Sequence, residues 1–485
     1  MHARLQLSRP MRLAAVVGGR REGDVERGFL ESRVLIRLEP RFAVQPDARE
    51  TFELAVNQVL RFCPNVTVSG ADDDMVAACR RLAQEIHGGA AELRHHDSPK
   101  WIGFDAVLNV GVEVPPGLPW TTVNSTGWVA RVQSAASEPA KPLYWRAGTS
   151  NCLGALTAAC LGSGRVFWAL LGLPWAGTPI EMSLFTGEVG SPGTLAAGPA
   201  LPGRPLDIDA LLVGCGGVSN GWAYAVRRLP IVGRLQAVDR QAVRPENLGA
   251  YVLAGRSDVK RPKVEVVSAY LSPKIGVTPR GEELEFFKIR LRYGLRMPPL
   301  VVNGLDNVEA RHSVQRLWPP TIIDMAAGGP TAQVIVKTST DDGICLLTAL
   351  TRAEVEGDHA EQLAADTGLR SERIRNNATD TVTEEDIAAA PSEKREALDA
   401  ARRNGDMLCG FITRRNLEHE EASPDFAAAA PFVTSLSGIV AAAETVKYLM
   451  TGATNSLHMQ FDFRSNRSTI LRLQCDPACE CANRT

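Results

Sequence analysis

The chain carries almost no excess charge of either sign. Its 53 lysines and arginines face 55 aspartates and glutamates, a formal net charge of −2. That balance gives no bulk attraction to nucleic acid, and no acidic run argues for a solvating tail. A long uninterrupted apolar run is also lacking. Residues 151–173 come nearest, but Arg165 and several Gly, Ser and Thr residues lie within them. A charge near the middle of a membrane span costs about 2.5–3.5 kcal/mol, so a buried helix is expected there and no membrane partner. The N-terminus has arginines but only the short apolar run LAAVV. A secretory core needs about 7–15 apolar residues, so residues 1–25 read as a flexible tail. The 10 cysteines are scattered over 485 residues with no disulfide framework, as expected for reduced thiols in a cytoplasmic chain. A hydrophobic content of 45% excludes disorder of the whole.

What is present reads as two copies of one α/β architecture. In the first half, residues 48–61 and 72–86 have helical periodicity. The second of these offers Asp72, Asp73 and Asp74 as caps and Met75, Val76, Cys79, Leu82 and Ile86 as its apolar face. Strand-like segments follow each, at 62–70 and in FDAVLNVGVEV, and one or two more lie in PWTTVNSTGWVARV. A lobe over 26–186 and a Gly/Pro-rich linker over 187–206 are expected. The pattern then restarts over 207–340 with IDALLVGCGGVSNG, a glycine turn the first half lacks. A polar helical insertion is expected over 341–430. A small-residue helix and a hairpin with SN at its turn return over 431–485.

The turn places Gly214, Gly216 and Gly217 between a buried strand and a helix. Asp239 ends the next strand, twenty-five residues after Gly214. Glycines let a backbone approach a phosphate, a helix N-terminus favours an anion, and an acid at that distance suits ribose hydroxyls. The alternative is a turn that only packs helix on strand. A dehydrogenase would share this motif but not the segments that follow.

Those segments are VDRQAVRPENLGAYVLAGRSDVKRPKVEVV, VVNGLDNVEARHSVQ, DMAAGG and APFVTSLSGIVAAAETVKYL. In that order they resemble blocks of the ThiF/HesA/MoeB superfamily, which includes ubiquitin-activating enzymes. The resemblance covers residues 211–450, interrupted by the insertion. It implies an α/β chain of two Rossmann-like adenylation folds, a pseudodimer whose first fold is inactive and second active, with a helical insertion bearing a catalytic cysteine. It implies ATP and Mg²⁺ as cofactors. Gly214, Gly216 and Gly217 would then contact phosphates, Asp239 the ribose, and Asn247 and Lys263 the phosphates. Asp306 would hold Mg²⁺, with Asn307 beside the nucleotide. Only 35 residues follow Met450, too few for a domain that recruits a conjugating enzyme. The chain therefore looks like a compact bacterial ubiquitin-activating enzyme, similar to those of ubiquitination-like (Bil-type) operons. That likeness implies a ubiquitin-like protein and a conjugating-type enzyme as partners and a place in antiviral defence. A thioester-free adenylating enzyme and a degenerate nucleotide-binding scaffold are the alternatives.

One departure bears on the chemistry. Where the family has Asn-Leu-x-Arg-Gln, this chain has Asn247, Leu248, Gly249, Ala250 and Tyr251. Arg240, Arg244 or Arg256, or Arg33, Arg37 or Arg41 of the first lobe, are the candidates to replace the lost arginine. Cys409 lies where the family's transfer cysteine lies, near Arg414 and Arg415, which favour a thiolate; a small buried hydrophobe is the other reading. Cys475, Cys479 and Cys481 form C-x3-C-x-C, and Cys345 makes a fourth thiol. A zinc site built from them departs from the usual pairing of ligands, Thr348 standing where a second paired cysteine is expected. A frayed tail of reduced thiols is its alternative.

Overall fold

The computed structural model describes residues 2–18, 22–90, 92–97, 103–114, 119–134, 151–172, 179–350, 364–365, 367–373, 381–403, 408, 430–452 and 454–481. Two eight-stranded mixed sheets organise the chain. The first contains β1 (Val34–Leu38), β2 (Asn65–Ser69), β3 (Glu92–His95), β4 (Ala106–Val110), β5 (Trp120–Thr126), β6 (Val129–Ser134), β7 (Ile180–Ser183) and β8 (Val189–Gly190). The second contains β9 (Leu206–Val213), β10 (Ile231–Val238), β11 (Ile275–Arg280), β12 (Leu300–Asn303), β13 (Thr321–Gly328), β14 (Thr331–Thr338), β15 (Leu457–Asp462) and β16 (Arg467–Leu471). Their spatial orders are β3-β2-β1-β4-β5-β6-β7-β8 and β11-β10-β9-β12-β13-β14-β15-β16. In each sheet the first five strands in that order run parallel and the last three join antiparallel. The repeat read from the alternating pattern is thus a repeat of topology.

The described helices begin with α1 (His2–Gly18), α2 (Glu22–Glu31), α3 (Pro46–Leu60), α4 (Asp73–His87) and α5 (Leu153–Leu170). The second half adds α6 (Gly217–Arg228), α7 (Lys263–Leu271), α8 (Leu284–Arg292), α9 (Val308–Gln315) and α10 (Leu346–Ala349). Three more helices cover Glu384–Ala389, Ser392–Arg403 and Pro431–Thr451. In α4 the Asp72 side chain accepts from the Met75 backbone N–H at 2.9 Å, the cap its sequence announces. The 1–25 segment is not a tail. Residues 2–18 are helical, and Met11, Leu13 and Ala14 are buried against the main core. A five-residue apolar run is too short to predict this, because the helix is held by packing rather than by its own pattern.

Helix α5 is long and apolar enough to cross a membrane, yet it is buried inside the protein. Its Arg165 donates to Ser134 Oγ at 3.1 Å, and burial pushes its guanidinium down to about 9. One apolar core runs through both sheets. Phe432, at the start of the Pro431–Thr451 helix, lies 5.2 Å from Phe167 of α5 and 6.4 Å from Phe62. Polar bonds cross as well: Asn57 Nδ2 donates to Val252 O at 2.9 Å, and Arg228 pairs with Glu50. Helix α6 and the Pro431–Thr451 helix touch backbone to backbone. A Cβ at Gly438 would stand 2.2 Å from Trp222 N, so only glycine fits there. Within the insertion, Leu369, Val382, Ala390, Leu398, Ala401 and Leu408 form a small core of their own, apart from the main one.

Candidate functional site

The second sheet builds a site at the ends of its parallel strands, where an open α/β sheet leaves a crevice. Strand β9 stops at Val213, and Gly214 turns the chain with φ +78°. A Cβ on Gly214 would come 3.0 Å from the Gly304 carbonyl, so the turn and the end of β12 can meet only without a side chain. Gly216 caps α6 and Gly217 is its first residue, which leaves the helix's first N–H groups facing the crevice. Asp239 follows β10. Its Oδ2 accepts from Cys215 N and its Oδ1 from Gln241 N, both at 2.7 Å, so the acid is tied to the glycine turn itself.

Lys263 opens α7 and is almost fully buried. Its Nζ donates to Gln241 Oε1 at 2.6 Å and lies 5.4 Å from the Tyr251 ring. Burial acts to lower its pKa, but Tyr251 and Asp239 more than offset this and hold it above the ordinary lysine value. Arg9 of α1 acts on the same ammonium, opposing its charge. Helix α1 packs on residues 245–247 beside the turn. Asn247 is buried, and its Oδ1 accepts from Arg244 N at 3.0 Å. The sequence offered no sign of Arg9, Gln241 or Tyr251 in this place.

Asp306 and Asn307 follow β12 and are exposed. Asn307 Oδ1 accepts from Ala310 N at 2.7 Å and caps α9. Among the described residues, no hydrogen bond or ion pair occupies the Asp306 carboxylate. Behind it, Arg311 pairs with the buried Asp324, whose Oδ1 also accepts from Asn303 Nδ2 at 2.6 Å. The glycine turn, Asp239, Asn247 and Lys263 are thus brought together, with Asp306 and Asn307 at the next strand end.

The arginine candidates are engaged elsewhere. Arg37 pairs with Glu113 at 2.7 Å, Arg41 with Glu39 at 2.9 Å and Arg240 with Glu283 at 2.6 Å. Arg244 lies 3.8 Å from Glu246, Arg256 rests against Gly88, and Arg33 reaches towards Gly103. Arg61, just past the end of α3, does cross to the second half, donating to the Leu248 and Ala254 carbonyls, but it is fully buried there. Ala250 is buried under Thr434, whose Oγ1 donates to its carbonyl at 3.2 Å. Cys409 lies outside the described residues.

The four thiols of Cys345, Cys475, Cys479 and Cys481 do meet, all within 4.8 Å of one another. Ile344 N donates to Leu473 O at 2.7 Å and Cys475 N to Asp342 O at 2.9 Å, which lays the C-terminal segment alongside Cys345. Sulfur contacts of 3.3–3.5 Å from Cys345 to the other three fall close to the roughly 3.8 Å separation of thiolates around a tetrahedral zinc. The donor set suits zinc, and the spacing that departs from paired ligands is resolved by chain return rather than by a second local pair.

A family model described as "ThiF family" matches residues 205–483, more than half of the chain. The chain belongs to the ThiF family. The match takes in the glycine turn, Lys263, Asp306 and all four clustered cysteines of this ThiF-family chain. An uncharacterized protein of Sinorhizobium fredii, y4jF, is 26% identical over 260 residues, covering 51% of this chain and 47% of that protein. The chain therefore spans about half the length of the curated relative it matches. Crystal structures of E. coli MccB with succinimide and with ATP are 13% and 12% identical. They cover 56% and 57% of this chain and 65% and 67% of that chain, each at a TM-score of 0.36. Superpositions this loose carry no residue correspondence.

Proposed function

We propose that this chain adenylates a carboxylate with ATP, and that the carboxylate is the C-terminus of a ubiquitin-like protein. The observation that carries the reading is the convergence of the glycine turn, Asp239 and the buried Lys263 at the ends of the parallel strands. The glycine turn and the first N–H groups of α6 address an anion there.

The chemistry is a displacement at the α-phosphorus. A substrate carboxylate oxygen forms the new P–O bond, the bond to the bridging oxygen breaks, and pyrophosphate leaves with that electron pair. The acyl adenylate results with no net proton transfer. The glycine turn orients the phosphates, and Asp239, held by Cys215 N and Gln241 N, keeps lone pairs for the ribose. Lys263 stabilises the negative charge that accumulates in the transition state. Mg²⁺ would offset charge on the leaving pyrophosphate, and Asp306 is the carboxylate free to hold it. Zinc on the four cysteines would anchor the C-terminal segment rather than act in catalysis.

The finer steps extend this reading. The acyl group passes to the Cys409 thiol as a thioester, releasing AMP, and then to a conjugating-type enzyme in the cytoplasm of a bacterium, within a defence operon. Candidate ubiquitin-like proteins ending in glycine test the whole. Carboxylate-dependent ATP–pyrophosphate exchange supports adenylation, and a reductant-sensitive adduct lost in Cys409→Ala supports the thioester. Exchange without that adduct moves the protein to thioester-free chemistry. Nucleotide binding without exchange for any substrate leaves the scaffold reading.

A further inference from the structure

Tyr251 stands at the crevice on a segment that both lobes hold. Its ring is buried in a small apolar cluster with Val243, Leu248, Ala250, Ala254 and Val266. Its N–H donates to Asn247 O at 2.9 Å, and its carbonyl accepts from Ala254 N at 3.1 Å, so the backbone around it is tightly turned. Within the second lobe, Asn220 of α6 ties this segment to the glycine turn. Its Oδ1 accepts from Leu253 N at 3.2 Å, and its Nδ2 donates to Gly216 O at 2.8 Å. From the first lobe, Asn57 Nδ2 donates to Val252 O at 2.9 Å, and Arg61 donates to the Leu248 and Ala254 carbonyls. Moving Tyr251 therefore means breaking bonds to both lobes.

Apolar packing accounts for the ring and leaves the hydroxyl to be explained. A Cβ on Gly216 would stand 3.5 Å from the Tyr251 hydroxyl oxygen, which puts that hydroxyl beside the cap of α6. The Lys263 ammonium lies 5.4 Å from the centre of the same ring, and against the pull of burial Tyr251 helps to keep it protonated. An ammonium has only donors to offer. Towards it the phenol can present only its oxygen, and its O–H is left for another acceptor. Among the described residues no hydrogen bond takes that proton. The hydroxyl thus stands with an unclaimed proton between a lysine and the start of a helix, where an anion is favoured.

We infer that Tyr251 is a further catalytic residue of the nucleotide site, its O–H donating to a phosphate oxygen of ATP. The phenol keeps its proton throughout. It stabilises negative charge on the phosphate oxygens while the carboxylate adds and pyrophosphate leaves. It supplies a neutral donor next to Ala250, whose side chain has none. Asn57 and Arg61 act through it as positioning residues, because their bonds fix the backbone on either side of it. The first lobe thereby serves the phosphate chemistry of the second without holding a nucleotide. The inference rests on the proposed adenylation for its reaction, and on phosphate binding alone for its test.

The test is calorimetric binding of adenosine and of α,β-methylene ATP with Mg²⁺ to the full chain and to Tyr251→Phe. That variant keeps the ring in its cluster and removes only the hydroxyl, and its melting temperature is checked. Affinity for the ATP analogue should fall roughly tenfold or more, as loss of a hydrogen bond to a charged group implies, while affinity for adenosine is kept. Asn57→Ala should weaken the analogue about threefold, and should add nothing further in the Tyr251→Phe background, since it acts through the same hydroxyl. Additive losses would overturn the part given to Asn57. Wild-type affinity for the analogue in Tyr251→Phe, or equal weakening of adenosine and analogue, would overturn the assignment of Tyr251 and leave adenylation standing. The expected loss in a protein that catalyses no pyrophosphate exchange with any carboxylate would keep the phosphate contact and overturn adenylation. An unmutated protein that binds no analogue would overturn both.

Discussion

The two sheets share strand order and strand sense, so their ladders can be compared position by position. Arg37, Asn109 and Thr122 occupy the rungs that Val213, Asn303 and Asp324 occupy in the second sheet. One residue beyond β1 and β9 the contrast is sharp. The rung of Gly214 holds Leu38, and the rung of Asp239 holds Gly70. Next to Leu38, Glu39 is buried. Its carboxylate accepts from Asn109 Nδ2 at 2.8 Å and from Val112 N at 2.6 Å, and it pairs with Arg41. The first lobe thus ties the loop after β4 with an internal carboxylate, where in the second Asp306 and Asn307 stand exposed after β12. The first lobe keeps the strand order without the glycine turn, and the shared core and the aromatic contacts around Phe432 draw on its sheet.

Substitutions at the second site should separate the lobes most strongly. Lys263→Ala is expected to lower pyrophosphate exchange by a factor on the order of 100 or more, as removal of a charge-stabilising group does, and Asp306→Ala to abolish it with the melting curve unchanged. Glu39→Ala should destabilise the first lobe but leave calorimetric ATP binding at one site per chain. Two sites in that variant, or in the unmutated protein, would break the contrast.

Metal analysis sharpens another difference, since the described residues place the four-cysteine cluster only on the second half. One zinc per chain is expected. Cys345→Ser should release it and lower the melting temperature by roughly 10 °C, as loss of several kcal/mol implies. Unchanged stability with no bound metal would leave the four thiols as a reduced cluster.

The packing of α6 on the Pro431–Thr451 helix, inside the second lobe, is tested at a glycine. Gly438→Ala puts a Cβ 2.2 Å from Trp222 N, and a cost of about 1–3 kcal/mol is expected from overpacking. Gly452, where a Cβ meets nothing within 4 Å but φ is +72°, should cost less on substitution by Asn. Denaturant melts of both variants read the comparison directly.

The smallest effect concerns pH. His87, at the end of α4, is buried and donates to Leu60 O, and burial lowers its pKa below the ordinary 6.5. Below that value the unfolded chain takes up a proton that the folded one refuses, so stability falls as pH drops. Replacing His87 with Gln should flatten the stability curve between about pH 6.5 and 5. An unchanged slope would show that other groups govern that range.

Much of the site was legible because it is local. A glycine turn, an acid after the next strand and a lysine opening a helix each depend on a few adjacent residues. Their joint placement needed only the strand–helix alternation. Asp72 as a cap and Arg165 inside a buried helix followed for the same reason. Helix α1 was not legible: it includes Pro10, has one short apolar run, and is held by residues 245–247, more than two hundred positions away. The cysteine cluster was legible as four thiols but not as one site, because Cys345 and Cys475 are joined by the return of the last strands. The hold of the first lobe on the segment around Tyr251 had no signal at all, since Asn57 and Val252 are 195 residues apart.

By itself, then, the amino-acid order determined the alternation of elements, the glycine turn and its acid, and the family these imply. Those features arise from backbone geometry and side-chain periodicity within a few turns of chain. The tertiary structure alone decided that α1 packs beside the glycine turn, that Glu39 ties the loop after β4, and that four distant sulfurs converge. Each of these depends on which surfaces the apolar core brings together, and burial of that core is a property of the whole chain, carried by no single segment of it.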